Sequence, residues 1–303
     1  MERPELVRKL YHEVRRLRTL DDHLVALQRD GVLPYFISAR GEECAIVAAA
    51  LALREHDWLF PSPRDYGACL VRGVEMVALY HHFLGTGEDP AHGRQRPNFF
   101  GFPRARIAGV AGSVGAHVPH AVGLAWAARV KGDPIAALCM FGDGATSAGE
   151  FHNGANFAGV FRAPVVLLCR NNGHAGGFPV ERQCAVESLA DKADAYGIRG
   201  KSVRADDAIR VYTTVSESLQ DARNGAILLE VVTHGLEQDP FAALASEFVA
   251  SHGAEARAAI DAACEREVQD AYARASAAPP PTRATLTTDV FAAPNLSGGQ
   301  TCK

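Results

Sequence analysis

A chain of 303 residues, 48% hydrophobic and 22% charged, has material for a sizeable core, which excludes wholesale disorder. Its 31 basic residues stand against 35 acidic ones, a net charge of −4, so no global basic field invites nucleic acid. Arg, Asp or His interrupts every long apolar run, and the N-terminus has no apolar core, which argues against a membrane span and a secretory signal.

Leu6, Leu10, Val14, Leu17 and Leu24 recur at helical spacing and predict a helix over 5–30. The nearly all-apolar GEECAIVAAALALR predicts a buried helix over 42–54. LFPSPRDYG (59–67), with two prolines, reads as a loop. Residues 85–106 read as a long Gly/Pro/Arg-rich loop, of a length that usually carries function. A Gly-rich stretch then leads into a small-residue helix within 109–132.

The centre of the chain is sharper. IAALCMF (135–141) and PVVLLCR (164–170) read as strands buried on both faces. Between them, SAGEFHNGANFAGVF (147–161) reads as a helix opened by a capping box of Ser147 and Glu150. Strand, helix and strand make a βαβ unit, so the expected class is α/β, a parallel sheet with helices on both faces. Further helices are expected over 186–196, 211–225 and 241–275, with a strand over 226–233. The expected organisation is a single domain over 1–278 and a flexible tail over 279–303. The seven cysteines are odd in number, widely spaced and without C-x-x-C. That is the usage of free thiols in a reducing compartment and points to the cytoplasm.

Ligands of open α/β sheets gather at the carboxyl ends of the strands. Here those ends read Gly142-Asp143-Gly144 and Arg170-Asn171-Asn172-Gly173. Adjacent parallel strands bring Asp143 and Asn172 to one rim. The glycines let backbone approach an anion, and the helix that follows points its positive end the same way. A carboxylate and an amide oxygen are hard ligands suited to Mg²⁺, with a carbonyl just past Asn172, such as that of His174, as a third. Either tripeptide alone is a turn signal; the pair on one βαβ unit, with 26 residues between Gly144 and Asn171, is far more specific. A dinucleotide fold is disfavoured, because GVAGSVG is not G-x-G-x-x-G and Arg170 stands where an acid belongs. Bland readings stand beside these. Arg64 and Asp65 could form a surface ion pair. His117 and His120 could be satisfied core histidines. Arg94, Arg96, Arg104 and Arg106 could be a solvated loop face, or could bind a phosphorylated substrate or an acidic carrier.

The stretch FGDGATSAGEFHNGANFAGVFRAPVVLLCRNNGHA resembles the thiamine-diphosphate motif of the alpha subunit of 2-oxo acid dehydrogenases, the branched-chain type above all. The likeness runs from about residue 5 to 233 and includes RGEECAIVAAALAL, FPSPRDYGACLVRG and DPAHGRQRPNFFG; TLTTDVFA (285–292) is similar to the end of the family chain. The resemblance implies that Asp143, Asn172 and the His174 carbonyl hold Mg²⁺, and that Arg64 and Arg170 bind the diphosphate. It also puts Gly142, Gly144 and Ala145 against the cofactor, and Val114 under its bend. It assigns no catalytic side chain to this chain. The family's activating Glu comes from a beta subunit, which implies an α2β2 assembly passing its acyl unit to a lipoyl carrier. Departures are specific. Pro63 replaces a Tyr and Phe99 a His. The loop THGLEQDPF (233–241) is short, with His234 off the motif position. GSVGAH (112–117) lacks most ligands of the family's monovalent-cation motif. The lost histidines and the shortened loop motivate an alternative, two-carbon ketol or acyl transfer from a ketose phosphate or 2-oxo acid to an acyl carrier protein. A third reading is a non-catalytic scaffold that holds the cofactor.

Overall fold

The computed structural model describes residues 2–236 and 238–288. Its strands, in chain order, are β1 (Trp58–Phe60), β2 (Ala137–Gly142), β3 (Val165–Asn171), β4 (His174–Ala175), β5 (Phe178–Pro179), β6 (Arg199–Arg204) and β7 (Ile227–Val232). Five of them form one sheet in the order β1-β2-β3-β7-β6, with every pairing parallel. β4 and β5 form a small antiparallel hairpin.

Alternation along the strands divides the core in two. Leu138, Met140, Val166, Leu168 and Leu229 face one layer, while Cys139, Phe141, Leu167, Cys169 and Leu228 face the other. The first layer contains α1 (Arg3–Arg29), α2 (Glu43–Leu51), α3 (Tyr66–Val71) and α4 (Met76–Leu84). The second is built on α5 (His117–Lys131) and α6 (Gly149–Val160). The chain then returns to the first layer with α7 (Ala208–Ala222), α8 (Pro240–His252) and α9 (Ala254–Ser276). Cover on both sides is why the central strands are apolar at most positions. The expected α/β class is the one found. Alanines let α2 lie buried between α1 and α7. The apolar stripe of α1 packs on α8 and α9, and Arg16 pairs with Glu267 at 2.6 Å across that seam.

Several expectations need correction. LFPSPRDYG begins as β1 rather than as a loop, because Leu59 and Phe60 extend the sheet beside β2. Ser147 and Glu150 form no capping box. Residues Asp143–Ser147 wind as a 3-10 turn closed by the Ala148 N–H on the Ala145 carbonyl, and α6 starts from Ala148, which has no capping side chain. The helix expected over 186–196 is a 3-10 helix, Leu189–Tyr196, capped by Ser188. The helical span over 241–275 is broken at Gly253, whose φ is +87°. Of the expected tail, residues 279–288 lie along the 87–94 loop: the Gly87 N–H donates to the Pro279 carbonyl and Arg94 to that of Thr288. The remainder, with Cys302 and the end of TLTTDVFA, lies outside the described residues. Among the described residues five cysteines are buried and free, Cys184 is half-buried and free, and no helix is long and apolar enough to cross a membrane.

The tightest approach of α6 is to the end of the Leu189–Tyr196 helix. A Cβ built on Gly159 falls 2.0 Å from the Tyr196 carbonyl oxygen. Gly159→Ala is therefore expected to lower stability by about 1–3 kcal/mol despite alanine's better helix propensity, read as a lower urea midpoint.

Candidate functional site

The carboxyl ends of β2 and β3 open into a cleft of about 260 Å³. All nine residues singled out in the sequence line it: Arg64, Val114, Gly142, Asp143, Gly144, Ala145, Arg170, Asn172 and His174. The parallel register sets Gly142 opposite Arg170, so Asp143 and the Asn171-Asn172 turn emerge side by side.

Beneath the cleft lies a buried ion cluster. Arg170, only 1% exposed, donates through Nε to Glu42 at 2.8 Å, through Nη1 to Asp65, and through Nη2 to the Ser62 hydroxyl at 3.1 Å. Burial alone would push this guanidinium down, but Asp65 and Glu42 outweigh it and hold it above its ordinary value. Glu42 is likewise pushed up by burial and pulled further down by Arg170, Arg64 and an Asn172 hydrogen bond, so its carboxyl sits below the usual range. The sequence expectation gave Arg170 to a diphosphate. In the structure each of its nitrogens already has a partner, and its charge is matched within the protein. Arg64, more exposed, reaches Glu42 at 3.2 Å and is the basic side chain standing open to the cleft. Its partner is Glu42, not the neighbouring Asp65.

Asp143 presents the opposite case. It is 3% exposed, yet among the described residues no basic side chain pairs with it; its closest donor is the Gln183 amide at 3.3 Å. Burial raises its carboxyl above the ordinary range, and the nearby Glu42 charge adds to the rise. Asn172 donates to Glu42 at 3.0 Å, while its side-chain oxygen accepts from the His174 N–H at 3.1 Å. The β4–β5 hairpin folds over this pair, and only a glycine at 144 permits it: a Cβ there would lie 2.5 Å from that of Ala175. A buried carboxylate lacking a counter-charge, a neighbouring amide oxygen and glycine-lined backbone suit a small hard cation with an anion beside it.

Val114 projects into the cleft mouth at 67% exposure, an apolar side chain on the loop before α5. Below it His117 donates through Nε2 to the Met140 carbonyl at 2.9 Å, and burial lowers its pKa, so this histidine is satisfied and neutral. His120 is exposed. His234, which matched no motif position, lies over the same turn: a Cβ on Gly173 would come within 3.2 Å of its ring. In the arginine loop, Arg94 bonds backbone carbonyls, Arg96 lies over Tyr35 and Arg106 over Trp58.

Sequence reasoning missed Glu42, Ser62 and Asp65. One signal was present: two acids, Glu42 and Glu43, open an otherwise apolar helix, and buried acids need partners.

Comparison with known proteins agrees in extent with the described core. Residues 11–238 match the family model described as dehydrogenase E1 component. The 2-oxoisovalerate dehydrogenase subunit alpha of Bacillus subtilis is 38% identical over 231 residues, 75% of this chain and 70% of the relative. The 3-methyl-2-oxobutanoate dehydrogenase subunit alpha of Mycobacterium tuberculosis is 38% identical over 234 residues, 77% of this chain and 61% of the relative. A mitochondrial 2-oxoisovalerate dehydrogenase subunit alpha of Mus musculus is 32% identical over 232 residues, covering 76% of this chain and 52% of its own. Against the second and third of these relatives the chain spans only about half to three-fifths of their length.

The two arginines should behave differently when removed. Arg170→Met leaves Asp65 buried without its cation and Glu42 with Arg64 alone as a counter-charge, and is expected to cost about 3–5 kcal/mol. Arg64→Ala removes a partly exposed partner and is expected to cost about 1 kcal/mol or less. Denaturant titration of both variants checks the contrast.

Proposed function

This chain belongs to the dehydrogenase E1 component family, and we propose that it is the alpha subunit of a thiamine-diphosphate- and Mg²⁺-dependent 2-oxo acid dehydrogenase, with a branched-chain 2-oxo acid as substrate class. Alpha subunits of this family use thiamine diphosphate with a divalent metal, and they work with a beta subunit and a lipoyl-bearing component. The observation that carries the reading is Asp143, a buried carboxylate at the end of two parallel strands with no basic side chain paired to it among the described residues. When bound, thiamine diphosphate supplies a carbon nucleophile and an electron sink for decarboxylation.

The chain's own residues bind and orient. Asp143, the Asn172 side chain and the His174 carbonyl hold Mg²⁺. Arg64 and the backbone at Gly144 and Ala145 bind the diphosphate, and Gly142 lets it come close. Val114 would give the cofactor an apolar contact in the cleft. Arg170 keeps Glu42 charged and in place, and Glu42 in turn fixes the amide of Asn172. The group that activates the cofactor comes from the beta subunit, in an α2β2 assembly in the cytoplasm. Residues 1–278 act as one cofactor-binding domain.

Phe99 in place of the family's histidine and the short 233–241 loop favour a second reading, two-carbon transfer onto an acyl carrier protein. Release of CO₂ from 3-methyl-2-oxobutanoate by the chain with its beta partner supports the first reading; consumption of a ketose phosphate without CO₂ supports the second. In titration calorimetry, Asp143→Ala is expected to weaken Mg²⁺-dependent thiamine diphosphate binding about a hundredfold, the ~3 kcal/mol of a lost charged contact. Binding equal to that of the unmodified chain refutes the metal assignment.

A further inference from the structure

We propose that Glu230 is a positioning residue whose single buried carboxylate fixes both turns of the cleft, an assignment that rests on the cofactor reading above. Glu230 lies in β7, in a strand whose other positions are apolar, and is 2% exposed. Burying a carboxylate is costly. Among the described residues no basic side chain offsets it; three neutral donors do, and two of them lead to the cleft.

The first arm runs to the β3 turn. One Glu230 oxygen accepts the Asn171 amide at 2.8 Å, and the Asn171 oxygen accepts the Gly173 N–H at 2.9 Å. Asn172 is the residue held between them. The second arm runs to the β2 turn. The other Glu230 oxygen accepts the Ser188 hydroxyl, and Ser188 caps the Leu189–Tyr196 helix by accepting from the Ala190 N–H at 3.3 Å. That helix carries Lys192, whose Nζ donates to the Thr146 carbonyl at 3.0 Å and to its hydroxyl oxygen at 3.2 Å. The Thr146 hydroxyl donates in turn to the Asp143 carbonyl at 2.8 Å. The third donor, Ser202 at 3.1 Å, belongs to β6 and leads to neither turn. The β2–β3 register brings Asp143 and Asn172 side by side, and this one carboxylate braces the turn that carries each of them.

The test uses the full chain co-purified with its beta partner. Affinity for thiamine diphosphate in saturating Mg²⁺ is measured by calorimetry, and Tm is measured beside it. Glu230→Gln and Lys192→Met are expected to weaken binding about tenfold or more, the usual effect of removing a ligand's support. Lys192→Arg should restore most of it. Ser202→Ala, which removes a bond to the same carboxylate, should leave affinity within about twofold of the unmodified chain. Two outcomes overturn the proposal: unchanged affinity in Lys192→Met, or a loss in Ser202→Ala as large as in the other variants. If Glu230→Gln does not fold, the contrast between Lys192→Met and Ser202→Ala decides alone. Asp143→Ala separates the two levels. If it binds normally, the cofactor reading fails; if it loses binding while Glu230→Gln and Lys192→Met do not, only the role of Glu230 fails.

Discussion

The cleft stands on the charge cluster around Arg170. Glu42 at the start of α2, Asp65 just before α3 and Arg170 at the end of β3 are far apart in the chain and meet with almost no solvent. A pair of unit charges at contact distance is worth about 4 kcal/mol at an effective dielectric near 20, while removing each ion from water costs several. With Arg64 included, two acids face two bases and the sum is neutral. Such a cluster contributes modest net stability but tolerates one arrangement only, because any displacement leaves a buried charge unmatched. It therefore fixes where α2, the 61–65 segment and β3 stand relative to one another.

Above that neutral floor the site is deliberately unbalanced. Asp143 is as buried as Glu42 yet has an amide donor instead of a base. The difference separates structure from recognition: the lower charges are satisfied by the fold, and the upper one is left to be satisfied by a ligand. Small residues make the separation possible. Gly144 lets the hairpin close over the turn, and the alanines of α2 let the helix carrying Glu42 sink beside the sheet.

Much of this was legible in the residues. The β2–α6–β3 unit announced itself because both strands are long apolar runs and each ends in a Gly/Asn/Asp turn. The nine cleft residues followed from that unit and from the motif resemblance. β6 was not legible: RGKSVR has five of its six residues polar, charged or Gly, as suits an edge strand, and resembles a loop. β1 is three residues long and is followed at once by Pro61 and Pro63. The Ser147/Glu150 pattern misled because a 3-10 turn uses Ser147 before the helix begins. The partners of Arg170 were hidden for a different reason. A charged strand end signals that partners exist, but pairing across more than a hundred residues is set by packing, which no local pattern encodes.

The seam between α1 and the last two helices has a consequence in time. The chain is synthesised from its N-terminus, so the stripe of Leu6, Leu10 and Val14 leaves the ribosome long before α8 and α9 exist to cover it. At 5–20 residues per second that delay is on the order of 10–50 s. α1 is thus enclosed long after it is made, and its apolar side must wait against the ribosome surface, a chaperone or a provisional neighbour. The Arg15 and Arg16 contacts to Glu265 and Glu267 close only at the end of that wait. They fasten α1 to α9 only once both have been made.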